Sequence, residues 1–306
     1  MSHNALPLRP RTGIAIAVAS AVGAMAFCWP LLVGPSGPLS DRTDAPIILA
    51  VVLLGVLAVL TVALGEGGID VKAIAVLGLL TAVGSVLRPL SAGTAGVELV
   101  FLVIVLGGRA FGPGFGFALG STTIFASALL TGGVGPWMPY QMLAASWVGL
   151  GAGLLPRRLG RWELVALAGY GALAALAFGV AMNLSFWPFQ LGLGTQLSFV
   201  AGDPVSANLH RFVVFSATTS LGWDLGRAAT TAIGIALVGR PVLAALRRTA
   251  VRAAFAPSTP APPGGADLVS ASTAPVRDTP SIPRGGHSGL PAATRSPAAL
   301  RGSRRG

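Results

Sequence analysis

The chain has 306 residues, 53% hydrophobic and only 10% charged, with a mean hydropathy of +0.75. A soluble domain carries about 25% charged residues, so this composition excludes one; the apolar segments do not alternate with polar positions, which excludes an outer-membrane barrel and leaves membrane-spanning helices. The net charge of +11 sits on arginines at segment ends and in the C-terminal tail, a distribution of orientation signals and anionic-lipid contacts rather than of nucleic-acid binding.

Residues 1–12 are basic and lead into a first apolar segment at 13–33, long enough to span a bilayer. Ala24-Met25-Ala26 resembles a signal-peptide cleavage site, but the apolar run continues past it to Val33, and a retained helix is expected. A polar loop at 34–45 and a second span at 46–64 follow, the latter opening on a proline suited to the first helical turn. The third span, 71–87, carries Ala75, Gly78, Ala82 and Ser85 at intervals of three and four. Such a face lets another helix approach closely, whether from a partner or from the same chain. Arg88-Pro89 ends this span, and Glu98 opens a short fourth one at 97–108, where each charge is either an interfacial anchor or a cavity residue.

Residues 109–114 are expected to form a tight turn before a fifth span at 115–130. The stretch Gly132-Gly133-Val134-Gly135-Pro136-Trp137-Met138-Pro139-Tyr140-Gln141 then breaks the helical pattern, because its glycines and prolines are poor helix interior. A sixth span at 140–155 contains the small pair Gly149 and Gly153 and stops at Pro156-Arg157-Arg158 and Arg161. After a seventh span at 162–182, residues 183–210 read as a long loop with Asn183, Trp187, Gln190, Asp203 and His210. Loops of that length are usually functional or disordered, and the aromatic content here argues against disorder. The eighth span, 212–238, holds Asp224 and Arg227 well inside it; three apart on a helix, they are expected to form an intramembrane ion pair. Beyond it, 253–306 is a Pro/Ala/Arg-rich segment without an apolar period, expected to be a disordered tail.

Eight spans with the N-terminus in the cytoplasm put most of the arginines inside and leave Arg42, Arg88 and Arg211 outside. Both termini are then cytoplasmic in a multi-pass protein of the inner membrane, and the loops 88–97, 131–139 and 183–211 share the outer face. Cys28 is the only cysteine, so no intrachain disulfide is possible, and no His/Cys/Asp group suggests a metal. No Gly-x-x-x-x-Gly-Lys-Ser/Thr phosphate loop occurs.

From Asp70 to about Arg252 the chain resembles the substrate-binding S components of energy-coupling factor (ECF) vitamin importers. The resemblance is carried by six spans after two extra ones, by the Ala75/Gly78/Ala82 face, and by two motifs. These are Gly107-Gly108-Arg109-Ala110-Phe111-Gly112-Pro113-Gly114-Phe115-Gly116 and Gly133-Val134-Gly135-Pro136-Trp137-Met138-Pro139-Tyr140-Gln141-Met142. It implies an all-α integral membrane protein with a six-helix S-component-like core at 70–252; the N-terminal extension with two transmembrane helices at 1–69 and the tail lie outside the resemblance. It further implies that a vitamin-like small molecule is captured on the outer face and passed to a transmembrane T protein with two ATPase subunits. ATP is used by those partners, and no cofactor belongs to this chain. Ala75, Gly78 and Ala82 become the face that couples to the T protein; Gly78 and Ala82 stand where an Ala-xxx-Ala pair is usual.

On that reading Trp137 and Trp187 clamp a flat ligand, and Gln141, Asn183, Gln190, Arg88 and Glu98 bind its polar edge; the aromatics serve equally well as interfacial belt residues. Two other function classes compete. An intramembrane enzyme acting on a lipid-linked substrate would need an acid and base near the surface, for which Asp203 and His210 are the one pairing available. A membrane scaffold would explain the basic tail but not the outer loops.

Overall fold

In the computed structural model, residues 10–32, 51–52, 54–55, 58–59, 71–91, 96–135, 137–190, 195–200 and 202–252 are described. The loop at 34–45, most of the expected second span and the tail at 253–306 lie outside them; positions 51–52, 54–55 and 58–59 are helical. All regular structure among the described residues is helical. It comprises α1 (Pro10–Phe27), α2 (Trp29–Leu32), α3 (Val71–Ser91), α4 (Val100–Phe111), α5 (Pro113–Thr131), α6 (Met138–Leu154), a 3₁₀ turn (Gly160–Trp162), α7 (Glu163–Gln190), α8 (Val205–Thr219) and α9 (Leu221–Arg252). Five of these helices, α1, α3, α5, α7 and α9, are long and apolar enough to cross a membrane.

The centre of the bundle is a glycine seam. A side chain at Gly116 or Gly108 would overlap the Gly149 carbonyl, one at Gly120 the Ala145 carbonyl, and one at Gly153 the backbone of Pro113. α4, α5 and α6 therefore meet backbone to backbone, as small-residue interfaces in membranes allow. Gly112, at φ 100, turns the chain between α4 and α5 in one residue, and Pro113 starts the new helix. The turn expected over 109–114 thus shrinks to Gly112, and α4 runs through Arg109 to Phe111. α3 joins this core through a Thr81–Thr122 hydroxyl hydrogen bond of 2.8 Å and through Ser85, which donates to the Thr123 carbonyl at 3.2 Å.

α7 and α9 pack antiparallel, with Gly171 against Thr231, Gly179 against Asp224 and Gly239 against Leu164. α1 docks on the outside of α6: Trp147 donates its indole N–H to Ser20 Oγ at 2.9 Å, and Phe27 meets Tyr140 edge to face at 5.0 Å.

Two sequence expectations are corrected. The long loop at 183–210 is helical up to Gln190, and a further helix, α8, occupies Val205–Thr219. The apolar face of α7 simply continues through Leu184, Phe186 and Trp187, and a proline as late as Pro188 does not stop it. The single span expected at 212–238 is broken at Ser220, where the hydroxyls of Thr218 and Thr219 bond back to Val214 and Phe215 carbonyls and close α8. Asp224 consequently lies in the first turn of α9 rather than deep within a span, and α9 runs on through Pro241 to Arg252.

Candidate ligand-binding site

The bundle has two unlike ends. One holds the C-termini of α3, α5 and α7 with the N-termini of α4, α6 and α9; we call it the Arg88 end. Arg109 and the stop at 155–162 mark the other.

At the Arg88 end lie polar side chains from five helices and from the loop before α4. Arg88, in the last turn of α3, donates to Gln141 Oε1 in the first turn of α6 at 2.9 Å and to Ser127 Oγ of α5 at 3.5 Å. Glu98, just before α4, accepts from Arg227 Nε of α9 at 2.9 Å. Arg227 also donates to Asp224 Oδ1 at 2.8 Å, so the pair is a three-member network with Glu98 in it. Gly96 seats the loop against the Trp223 carbonyl and so brings Glu98 to α9. The guanidinium of Arg227 lies over two rings, Phe178 at 5.3 Å and Phe101 at 5.9 Å, a cation–π arrangement that holds it in place. Arg88 is within electrostatic reach of Glu98, which links the two halves of the cluster.

Asn183, one turn along α7 from Gly179, accepts from Ser220 Oγ at 3.1 Å, while its own Nδ2 is buried without a partner among the described residues. A buried unpaired amide donor costs about 1–3 kcal/mol. Arg88 makes no ion pair among the described residues and has further N–H groups beyond those given to Gln141 and Ser127. The cluster carries two arginines and two carboxylates, so its formal charge balances. It therefore suits a ligand with hydrogen-bond acceptors rather than one that must neutralise a charge.

The tryptophans are arranged otherwise than expected. Trp187 is fully buried, donates to the Leu197 carbonyl at 2.7 Å, and meets Phe199 and Phe212 at 5.6 and 5.7 Å. Trp137 caps α6, is half-exposed, and folds its ring over Gly135. The described ring contacts of Trp187 are with Phe199 and Phe212, and Trp137 is not among them. Trp29 belongs to the Trp187 side: it donates to the Ser185 carbonyl at 3.3 Å and faces Phe199 at 6.2 Å. The side chain of Gln190 lies outside the described residues, although its backbone ends α7.

Sequence reasoning missed Ser127, Phe101 and Phe178. Ser127 was open to detection as a polar residue inside an apolar span; nothing in the sequence ties either phenylalanine to Arg227. An apolar cavity of about 340 Å³ lies between α6 and α7, walled by Trp147, Tyr170, Phe178 and alanines. Phe178 separates it from Arg227, and none of the ligand residues expected from sequence lines it.

The acid–base pairing of an enzyme is absent from the described geometry. Asp203 is bonded to Arg211 at 2.6 Å, which also donates to Asn208, and His210 is exposed. On α3, Ala75, Gly78 and Ala82 are all exposed, and a side chain at Gly78 would meet nothing within 4 Å. That face is free of this chain's described helices. Ser85 is not part of it but buried against α5.

The family model for the substrate-specific component of ECF transporters matches residues 72–238, more than half of the chain. Neither a curated protein nor a solved structure gives a match. The matched region holds every side chain of the Arg88-end cluster, and α1 and α2 precede it.

Proposed function

The chain belongs to the family of substrate-specific components of ECF transporters, and from that premise we propose that it captures a vitamin-like small molecule in the Arg88-end cluster and passes it to a T protein and two ATPase subunits. Members of the family are transport subunits and not enzymes, and this one is a multi-pass membrane protein. The Arg88 end faces outward, both termini face the cytoplasm of an inner-membrane protein, and ATP is spent by the partners. The S-component core spans 70–252, with the two-helix extension at 1–69 and the tail at 253–306 flanking it.

One observation carries the ligand site: Asn183 Nδ2, at the same end of the bundle as Arg88, is buried without a partner among the described residues, and Arg88 has N–H groups beyond those given to Gln141 and Ser127. Intramembrane polar groups of this kind mark substrate pathways. The donors fit carbonyl or ring-nitrogen acceptors on the ligand edge, with Gln141 and Glu98 holding Arg88 and Arg227 in position. Trp137, half-exposed beside Gln141, would cover a ligand from the outer side, whereas Trp187 acts from behind as packing. The exposed Ala75/Gly78/Ala82 face supports α3 as the coupling helix.

The test begins with native mass spectrometry of protein purified from its own host, to identify a bound molecule. Arg88→Ala and Asn183→Leu proteins of equal thermal stability are then titrated with it, beside Trp162→Ala. A lost hydrogen bond to a charged donor is worth about 1.5–3 kcal/mol, so at least roughly a tenfold loss is expected for Arg88→Ala. Unchanged affinity in both cluster variants would remove this site, and absence of any small-molecule ligand would remove the function.

A further inference from the structure

We propose that the Arg109 end carries a binding site for the phosphodiester headgroup of an anionic phospholipid, between the start of α7 and the last third of α9. A cavity of about 300 Å³ lies there, with Arg161 on the 3₁₀ turn and Arg240 and Arg247 on α9 at its rim and Leu164 and Leu243 below. The one carboxylate in it, Glu163, is already engaged: it accepts from Arg109 Nε at 2.8 Å and from Arg247. Each nitrogen of Arg109 is likewise engaged, since the other two donate to the Leu155 and Pro156 carbonyls at 2.8 and 3.0 Å.

Arg161 and Arg240 are left over. Neither makes an ion pair among the described residues, and Arg161 rests on the Trp162 ring at 5.5 Å. Two cations beside one cavity, at the N-terminal end of a 28-residue helix, make a site for an anion. What identifies the anion as a lipid is the neighbouring surface. One turn or less toward the middle of the same two helices, Val165 and Leu237 are 61% and 74% exposed. They offer an apolar wall on which acyl chains lie once the headgroup is seated, and exposed Trp162 is of the type found at the headgroup level. A soluble phosphate would use the arginines but not that wall.

The experiment uses the full chain in detergent micelles, with phosphatidylglycerol or phosphatidylcholine added and retained lipid read by native mass spectrometry. The wild type is expected to retain phosphatidylglycerol in preference. Arg161→Gln/Arg240→Gln should weaken that retention about tenfold or more, given what a basic residue contributes at an anionic surface. Arg158→Gln/Arg248→Gln removes the same charge from exposed positions outside the cavity and should leave retention unchanged. Ala244→Phe, which fills the cavity without touching a charge, should act like the first pair. Equal retention of the two lipids, equal losses in both arginine pairs, or unaltered retention in Ala244→Phe each overturns the proposal. Displacement of phosphatidylglycerol by inorganic phosphate at equal concentration would also overturn it, as it would show a site for a free anion.

Discussion

Arg227 shows how a single side chain can join elements that the sequence keeps far apart. Its carboxylate partners are Asp224, three residues away on the same helix, and Glu98, which reaches it from the loop before α4. Asp224 is the more buried partner, at 8% side-chain exposure against 28% for Glu98, so it loses more if the arginine goes. Breaking a buried pair by removing one partner costs about 3–5 kcal/mol, because a charge is left uncompensated in a poor solvent. Arg227→Ala is therefore expected to be severely destabilised in thermal unfolding in micelles. Glu98→Gln keeps the Asp224 contact and should lose about 1 kcal/mol or less, in the range of a partly exposed pair. Adding Asp224→Asn to Arg227→Ala should recover part of the loss, since the orphaned charge goes with it. If Arg227→Ala and Glu98→Gln unfold alike, the network does not hold the α4–α9 junction. The spacing of Asp224 and Arg227 made their pairing legible; Glu98 was legible only as a charge in want of a role, because a contact across 129 positions leaves no local trace.

At the scale of helices, glycine has two opposite uses here, and substitution separates them. Gly116 and Gly149 lie where α5 and α6 touch backbone to backbone, so an added methyl has no space to enter. Gly78 faces outward with nothing within 4 Å, and Gly169 is equally unobstructed. Gly149→Ala is expected to cost at least about 1–3 kcal/mol, the usual range for overpacking. Gly78→Ala and Gly169→Ala should be neutral or slightly stabilising, since alanine is the better helix former by about 1 kcal/mol. Gly78→Leu/Ala82→Leu should fold normally yet co-purify less T protein and ATPase, if α3 is the coupling helix. Normal assembly by that variant would exclude this face, and a stable Gly149→Ala would exclude the tight seam. The small-residue periodicity disclosed both surfaces in the sequence, but not which was covered, because covering is decided by neighbours. The extra helix α8 was illegible for a related reason. The length 212–238 matches one span, and the corner at Ser220 depends on threonine hydroxyls turning back onto their own helix. The run Ser216-Ala217-Thr218-Thr219-Ser220 was the available sign.

For the molecule as a whole, the added helix raises the question of whether the ends still fall on the expected sides of the membrane. α8 is 15 residues long and is not among the helices apolar and long enough to span; its Phe212 and Phe215 pack with Trp187 at the end of α7. α7 and α9 remain antiparallel neighbours across it, so the chain returns to the side from which α7 set out. From α3 onward the alternation of helix direction is thereby the same as in the sequence reading, with α8 added between α7 and α9. Charge follows the same division. Arg109, Arg157, Arg158, Arg161, Arg240, Arg247 and Arg248 gather at one end, whereas at the other Arg227 is matched by carboxylates and Arg211 by Asp203. A net excess of arginine favours the cytoplasmic side, which supports the proposed orientation with α8 and the Arg88 cluster outward. Exposed His210 on α8 and exposed Arg248 near the end of α9 report the two sides. In a Cys28→Ser background, His210→Cys should react with a membrane-impermeant maleimide on intact cells, and Arg248→Cys only after permeabilisation. The reverse pattern would place the polar cluster in the cytoplasm, where it has no external solute to capture. Labelling of both on intact cells would mean that α7 and α9 do not return the chain to the starting side.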